Sequence, residues 1–319
     1  MELPIEIRTI AEEALSAYNI HGIKAVSKDI TKKYKEKSGA GNHLIVSPVE
    51  AAVYSVVRMP STFGAVYSAL SHTMECVPFD GEYSLLDVGA GTGAGTIAAS
   101  QLLELTGITC IEREKSMREL GIKYTGQYSL TASKTIWRNG DIISGLNDRA
   151  DVVISSYVLN EMTEQDRIAA VRDMWSHTDK LLLIIEPGTP EAFSQLRRIR
   201  SELLSLGAHI SAPCTCEDEC RLEDDDWCHF TVRVQRSRLH RMIKEADVPY
   251  EDEKFCYMSF VKDNVSDRSR KRVLRHPQIG KGNITLTVCS NGKSEKITVT
   301  KKDKEKFRTA RKTGSGDLF

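Results

Sequence analysis

The sequence of 319 residues contains no long apolar run. A membrane-spanning helix needs roughly 18 to 20 consecutive apolar residues, so we expect no membrane partner. The N-terminus also lacks a basic start followed by an apolar stretch, and it contains acidic residues, whereas organelle transit peptides are rich in Arg and poor in acids. The sequence therefore predicts a cytoplasmic protein.

The sequence has no net charge either, because 44 Lys and Arg residues balance 44 Asp and Glu residues. The charge is nevertheless distributed unevenly along the chain. Residues 262–319 contain sixteen basic and six acidic residues, a local excess of +10, whereas residues 217–226 contain seven acidic residues and one Arg. A basic segment of this size favours sequence-independent contacts with nucleic-acid phosphates. A solvated Lys-rich surface gives the same pattern and is the alternative.

The first 207 residues contain no repeat and show two different patterns. Residues 1–78 have apolar residues at the three-and-four spacing of helices, and Ser47-Pro48-Val49-Glu50 is a capping box with Pro at the first helical position. We therefore expect an α-helical cap there. Residues 79–207 alternate short apolar runs with helical stretches, which is typical of a parallel sheet with crossover helices. The predicted strands are residues 84–88, 108–112, 134–137, 151–155 and 180–186.

The rest of the chain follows other patterns. Residues 208–262 begin with a loop rich in Cys and acids, continue with a helical pattern at 233–245, and end in an apolar run that should return to the sheet. Residues 263–319 contain two alternating runs around Asn291-Gly292, and Asn-Gly is the strongest short hairpin signal. We expect a Cys-rich insertion followed by a basic β-hairpin and a C-terminal helix.

A glycine-rich turn follows the first predicted strand at residues 87–93. Glycine allows a positive φ and lets the backbone approach a ligand without an intervening Cβ. Strand, turn and helix occur in the order of nucleotide-binding α/β domains. Glu112 ends the next strand roughly 20 residues further on, where it can accept hydrogen bonds from ribose hydroxyls. The predicted fold class is therefore α/β, a Rossmann-like parallel sheet with a helical N-terminal cap.

The glycine pattern of this turn is consistent with either of two cofactors. Gly89, Gly91 and Ala94 satisfy the Gly-x-Gly-x-x-Gly/Ala pattern of dinucleotide sites, which would indicate a nicotinamide oxidoreductase. The third glycine at Gly93, an Asp two residues before the first glycine, and Asp141 after the third strand resemble class I methyltransferases. That resemblance implies S-adenosylmethionine as the cofactor. The expected cofactor-binding residues are Asp87, Gly89, Gly91, Gly93, Glu112, Asp141 and Ser156.

The loop after the fourth predicted strand, residues 155–161, is where a substrate should meet the cofactor, because ligands gather at the carboxyl ends of parallel strands. Tyr157, Asn160 and Glu161 are the candidate catalytic residues. Methyl transfer needs little beyond alignment, so specific catalytic groups can be few. The loop lacks the Asn/Asp-Pro-Pro-Tyr sequence that orients an exocyclic amine. The sequence thus leaves two possibilities open: a protein that catalyses methyl transfer, and one that binds the cofactor without catalysing a reaction.

Four of the eight cysteines lie within fifteen residues of the Cys-rich loop, and two more follow on predicted strands. Without a secretion signal, such spacing favours a metal site over a disulfide framework. Cys76 and Cys110 stand alone in apolar settings and are interpreted as core residues.

Six short motifs are spread over nearly the whole chain: Arg58-Met59-Pro60-Ser61-Thr62-Phe63, Leu86-Asp87-Val88-Gly89-Ala90-Gly91, Glu186-Pro187-Gly188-Thr189-Pro190, Ala212-Pro213-Cys214, Asp226-Trp227-Cys228-His229-Phe230 and residues 314–317. They resemble the methyltransferase-like proteins of the small ribosomal subunit, a family with mitochondrial, bacterial and archaeal members. The resemblance implies a protein of the small subunit, either an rRNA methyltransferase or a non-catalytic assembly factor that binds cofactor and rRNA, with the basic C-terminal segment as the contact.

The resemblance also implies a 4Fe-4S cluster, and the matching positions are Cys214, Cys220, Cys228 and Cys289. The sequence departs from the family where Thr215-Cys216 replaces Pro-His. Cys216 therefore gives an alternative local set with Cys214, Cys220 and Cys228, which could close a zinc or iron-sulfur site without Cys289. If Cys289 is a ligand, metal binding ties the basic hairpin to the core and contributes folding energy.

Overall fold

An eight-stranded, mostly parallel sheet forms the centre of the protein. The computed structural model describes residues 1–37, 44–222, 226–265 and 270–319. Three acids of the acidic run, residues 223–225, and residues 266–269 of the basic segment lie outside the described residues. The strands of the large sheet are β1 (Glu82–Val88), β2 (Glu104–Ile111), β3 (Thr135–Arg138), β4 (Ala150–Ser156), β5 (Thr178–Pro187), β6 (His209–Ala212), β7 (Phe230–Gln235) and β8 (Tyr250–Val261).

The strand order is β3-β2-β1-β4-β5-β8-β6, and β7 pairs with the first half of β8. Strands β1 to β5 are parallel to one another, whereas β8 runs antiparallel to β5. An order of 3-2-1-4-5 places the crossover connections on both faces of the sheet. With the antiparallel strand beyond β5, this is the Rossmann-like fold of class I methyltransferases. The predicted α/β sheet is confirmed, whereas the metal of the predicted hairpin extension stays a prediction.

Both faces of the sheet are buried. On β1, Leu85 packs into one apolar core, whereas Leu86 and Val88 pack into a second core on the opposite face. The helices α5 (Ala94–Ser100) and α6 (Lys115–Gln127) contribute to the first core, and α7 (Glu164–Ser176) and α8 (Pro190–Ser205) contribute to the second. Burial on both sides explains why the central strands read as continuous apolar runs.

Four N-terminal helices pack against the same core as α5 and α6. Ser47 caps the third of them: its hydroxyl accepts the Glu50 N–H, and the Glu50 carboxylate accepts the Ser47 N–H at 3.0 Å. The predicted capping box is therefore confirmed. The next helix begins two residues after the third ends, with Pro60 in its first turn, where a missing N–H costs nothing. The helices are α1 (Ile5–Glu13), α2 (Ile20–Lys37), α3 (Pro48–Val57) and α4 (Met59–Met74).

The predicted helical pattern at residues 233–245 is wrong in its first part. The chain forms β7 up to Gln235, and the helix α9 spans only Arg238–Lys244. In β7 buried side chains alternate with more exposed ones, and the strand pairs with β8 along its length. Pairing with a long neighbouring strand overrides a local helical pattern.

The C-terminal part forms a small second sheet with its own apolar core. Asn291 and Gly292 have φ of 48° and 75°, the two positive values that a tight hairpin turn requires, so the predicted hairpin is confirmed. No helix among the described residues combines the length and apolarity needed to cross a membrane. The elements here are β9 (Arg272–Val273), β10 (Gln278–Ile279), β11 (Asn283–Ser290), β12 (Lys293–Thr300) and α10 (Lys304–Lys312).

Candidate functional site

A cavity with a volume of about 250 Å³ opens at the carboxyl ends of β1, β2 and β4. The sheet supplies one wall and the N-terminal helices supply another. The cavity is lined from the sheet side by Gly89, Gly91, Glu112, Asp141, Ser156, Tyr157 and Glu161, and from the helical side by Tyr34, Leu44, Ile45 and Tyr54. Five of the seven expected cofactor residues thus meet at one place.

The glycine loop follows β1, and its backbone has a conformation that residues with a side chain rarely adopt. Gly89 has a φ of +69°, and a Cβ at this position would lie 2.4 Å from Val158 Cγ2. The N–H groups of Gly89 and Ala90 both donate to the Ile111 carbonyl, at 2.9 and 3.0 Å. The loop is therefore fixed against the end of β2, and only glycine fits at its start.

Glu112 lies at the end of β2 with its side chain almost fully buried. Its Oε2 accepts the Gly91 N–H at 2.8 Å, and its Oε1 accepts the Glu114 N–H at 2.7 Å. Burial raises the pKa of Glu112, while these two backbone donors act in the opposite direction. Each carboxylate oxygen keeps a lone pair, so the carboxylate can still accept bonds from a ligand diol.

Asp87 and Gly93, two of the predicted cofactor residues, do not line the cavity. Asp87 is fully buried, and its Oδ2 accepts the Thr96 N–H at 2.9 Å and the Thr96 hydroxyl at 2.7 Å. Burial raises the pKa of Asp87 to about 6. Asp87 therefore holds the first turn of α5, and Gly93 packs toward Trp137. Both residues stabilise the glycine loop without facing the cavity.

Asp141 and Ser156 border the same cavity. Asp141 pairs with Arg113 at 3.1 Å through Oδ2, and its Oδ1 accepts the Ile143 N–H at 3.1 Å. Arg113 thus fixes the Asp141 carboxylate, and the bond from Ile143 stabilises the turn of the chain after β3.

The three candidate catalytic residues face different environments. Tyr157 has a φ of +60°, and its hydroxyl donates to Glu253 Oε1 at 2.9 Å. Glu161 lines the cavity, and its pKa is raised to about 7, chiefly by burial. Asn160 does not line the cavity. In the orientation that satisfies both ends of its amide, it donates to Glu186 Oε2 at 2.9 Å.

Tyr34 and Tyr54 are cavity residues that the sequence pattern did not single out. Their rings stack with centroids 6.2 Å apart and an angle of 27° between planes. Burial raises the pKa of both hydroxyls. In the sequence they are apolar-face positions of two helices, and helical spacing alone does not distinguish a core tyrosine from one that faces a cavity.

A second cavity is lined by five cysteines. Burial raises the pKa of Cys214 to about 12, and the neighbouring Arg200 guanidinium acts in the opposite direction. Arg200 is also buried, its Nη2 donates to the Cys216 carbonyl at 3.3 Å, and its Nε has no partner. Both predicted ligand sets therefore lie around one space: Cys214, Cys216, Cys220, Cys228 and Cys289.

The backbone approaches this cavity closely at the hairpin turn. A Cβ on Gly292 would lie 3.1 Å from Cys216 Sγ, and the Arg221 N–H donates to the Gly292 carbonyl at 2.9 Å. Within the described ranges, no three His, Cys, Asp or Glu side chains converge tightly enough to hold a single metal ion.

The chain is similar to two curated mitochondrial proteins. One is the human ribosome assembly protein METTL17, 24% identical over 290 residues, which cover 84% of this chain and 62% of that protein. The other is the fission yeast (Schizosaccharomyces pombe) Rsm22-cox11 tandem protein 2, 22% identical over 327 residues, which cover 85% of this chain and 43% of that protein. The chain thus spans less than two thirds of either relative. The predicted cytoplasmic location is wrong on this finding, since both relatives are mitochondrial.

Among solved structures, the chain is similar to the magnesium protoporphyrin IX methyltransferase of Synechocystis with bound SAH. The two are 14% identical with a TM-score of 0.44, and the match covers 76% of this chain and all of that one. The family model described as mitochondrial small ribosomal subunit Rsm22 matches residues 48–319, and the chain therefore belongs to the Rsm22 family.

Proposed function

We propose that this protein binds S-adenosylmethionine in the cavity at the glycine loop and acts as an assembly protein of the small ribosomal subunit. The observation that carries the cofactor assignment is the fixed loop at Gly89 and Gly91 beside the buried Glu112 carboxylate. Glu112 would hold the ribose hydroxyls, and the loop would face the amino-acid part of the ligand. Bound there, the cofactor would supply a methyl group activated by its sulfonium.

The charges of the cavity favour this ligand over a dinucleotide. A pyrophosphate binds at free N–H groups of a helix N-terminus, but at α5 the Thr96 N–H is already bonded to the buried Asp87 carboxyl. Among the described residues, the cavity lining contains several acids, including Glu112 and Glu161, against a single basic side chain, Arg113. Such a lining attracts a sulfonium and an ammonium and repels two phosphates. The oxidoreductase alternative is therefore not proposed.

Affinity for S-adenosylmethionine is expected to rise with pH through the neutral range. Because burial raises the pKa of Glu161 to about 7, this carboxyl is neutral below that pH and becomes anionic above it, where it attracts the cationic ligand. Calorimetric titrations at about one pH unit on either side of 7 should show up to about tenfold tighter binding at the higher pH. The ligand's own amino group also titrates, so Glu161→Gln serves as the control and should lose this dependence. An unchanged dependence in Glu161→Gln would remove Glu161 from the site.

For the cysteine cavity we propose a 4Fe-4S cluster held by Cys214, Cys220, Cys228 and Cys289. Each of the four thiolates of a cubane cluster binds a different iron, and these four cysteines all line the second cavity. The buried Arg200 guanidinium, with its unpartnered Nε, would offset part of the cluster's negative charge.

The proposed contact with ribosomal RNA rests on unpaired cations of the C-terminal part. Three basic residues near the start of this part have acidic partners: Lys271 pairs with Glu295, Arg272 with Glu75 and Arg275 with Asp226. The basic residues there without an acidic partner in the described part of the chain are Lys281, Lys293, Lys296, Lys301, Lys302, Lys304, Lys306, Arg308, Arg311 and Lys312.

Neutralising four of these cations is expected to weaken RNA binding and to flatten its salt dependence. Lys301, Lys302, Lys304 and Arg308 are all exposed. Each phosphate contact contributes about 0.7 to 0.9 to the slope of log affinity against log salt, so the quadruple glutamine variant should lose about 3 from the slope. Filter binding to small-subunit RNA at several salt concentrations measures it. The matched control replaces three Lys and one Arg elsewhere that are also exposed and lack an acidic partner among the described residues: Lys32, Lys123, Lys134 and Arg238. An equal loss in the control would contradict the assignment.

Methyl transfer to rRNA is the second candidate function. Glu161 and Tyr157 favour it, because both line the cavity at the carboxyl end of β4 and Glu161 has a pKa suited to proton transfer near neutrality. Mapping methylated nucleotides of the small-subunit RNA, with and without the protein, separates the two functions. A position that loses its methyl group would establish the enzyme, and an unchanged map with intact subunit binding would leave the assembly role.

A further inference from the structure

The end of β5 contacts the loops of both cavities. Glu186 is almost fully buried, and its Oε1 accepts the Leu159 N–H at 2.9 Å. Its Oε2 accepts the Asn160 amide at 2.9 Å. Leu159 and Asn160 belong to the loop that carries Tyr157 and Glu161 into the cofactor cavity. Glu186 therefore holds this loop from below without lining the cavity itself.

Two residues further on, the same segment holds the cysteine loop. The Gly188 carbonyl accepts the Trp227 indole N–H at 2.9 Å, and Cys256 Sγ donates to the Pro187 carbonyl at 3.0 Å. Trp227 directly precedes Cys228, which lines the cysteine cavity. On its other side, the Trp227 carbonyl accepts from Arg275 Nη2 at 3.0 Å. The indole thus connects a cavity-lining cysteine to the end of β5.

The linking segment, residues 186–188, cannot shift independently of its neighbours. The Gly188 N–H donates to the Lys254 carbonyl at 3.0 Å, and a Cβ on Gly188 would lie 2.7 Å from the Lys254 carbonyl carbon. The residue before Lys254 is Glu253, which accepts the Tyr157 hydroxyl. The Tyr157 N–H in turn donates to the Ile185 carbonyl at 2.8 Å, one residue before the segment. These hydrogen bonds connect β5, β8 and the loop of residues 157–161 to one another.

We propose that the linking segment couples the two cavities, so that metal in the cysteine cavity strengthens binding of S-adenosylmethionine; this rests on the proposed function. Metal binding orders the loop that carries Trp227 and Cys228, and through the Gly188 bond it also orders the end of β5. The loop of residues 157–161, which the end of β5 holds, is then ordered before the cofactor binds. Cofactor binding no longer includes the entropic cost of ordering this loop, which gives positive coupling without a change of structure. By thermodynamic reciprocity, the cofactor also strengthens metal binding.

The test compares cofactor affinity in four proteins by calorimetry. Wild type reconstituted with iron and sulfide should bind S-adenosylmethionine at least about fivefold more tightly than the metal-free wild type. Trp227→Phe keeps every cysteine but loses the indole donor. It should keep its visible absorbance, yet bind the cofactor as weakly as the metal-free protein does. The matched control, Trp175→Phe, replaces a buried tryptophan of α7 outside this network and should behave as wild type.

Three results are decisive. Equal affinities in metal-loaded and metal-free wild type would overturn the coupling and leave both binding sites intact. Full affinity in coloured Trp227→Phe would overturn the route through Gly188. If the metal-free protein unfolds, as judged by circular dichroism, the loaded Trp227→Phe and Trp175→Phe proteins still decide the question. A loaded wild type that gives no heat with the cofactor would instead refute the proposed function, and this inference with it.

Discussion

Replacing Glu112 by alanine is expected to weaken binding of S-adenosylmethionine by about 100-fold or more. The change removes a charged acceptor of two ribose hydrogen bonds, and bonds to charged groups contribute about 1.5 to 3 kcal/mol each. It also releases the Gly91 N–H, which Glu112 now holds at 2.8 Å. Calorimetry with metal-loaded protein measures the loss.

The control for this change is Glu104→Ala, which removes an exposed acid at the opposite end of the same strand. It alters the net charge equally but lies where β2 begins. We expect wild-type affinity and an unchanged thermal midpoint for Glu104→Ala. Equal affinities for Glu112→Ala and wild type would mean that the carboxylate does not contact the ligand.

Replacing Cys289 by serine is expected to give a colourless protein, whereas wild type purified without oxygen should be brown. Cys289 lies on β11, some sixty residues after Cys228, so its bond to a cluster joins the small sheet to the large one. Because metal binding is folding energy in such sites, the thermal midpoint should fall by roughly 5 to 10 °C. Anaerobic absorbance and differential scanning calorimetry measure the two effects.

Cys216→Ser is the matched control, since Cys216 lines the same cavity. We expect it to keep both colour and midpoint. The reverse pattern, with colour lost in Cys216→Ser and kept in Cys289→Ser, would assign the ligands to the local set of the Cys-rich loop. A colourless wild type that contains zinc would refute the cluster.

Local sequence patterns predicted the parts of the fold that local interactions determine. The capping box at Ser47 and the hairpin turn at Asn291-Gly292 each depend on a few adjacent residues, and both were confirmed. The order of apolar runs likewise predicted the parallel strands. The strand β7 was missed because its conformation depends on pairing with β8, whose partner residues are about 20 positions away in sequence.

The residues that line the two cavities could be predicted only in part. The glycine loop and Glu112 follow from strand, turn and strand in sequence, so their meeting at one edge could be expected. Nothing local indicates that Tyr34 and Tyr54 line the same cavity, or that the buried Arg200 of α8 borders the cysteines. These contacts arise from packing between distant helices and loops, which periodicity does not encode.

The fixed loop and the Glu112 carboxylate are proposed to bind a sulfonium nucleoside. Isothermal calorimetry of the metal-loaded wild type with S-adenosylmethionine, its demethylated product and a nicotinamide dinucleotide tests this proposal. We expect saturable binding of one molecule per chain for the first two ligands and none for the third. Absence of heat with both nucleosides, from protein shown to be folded, would contradict it.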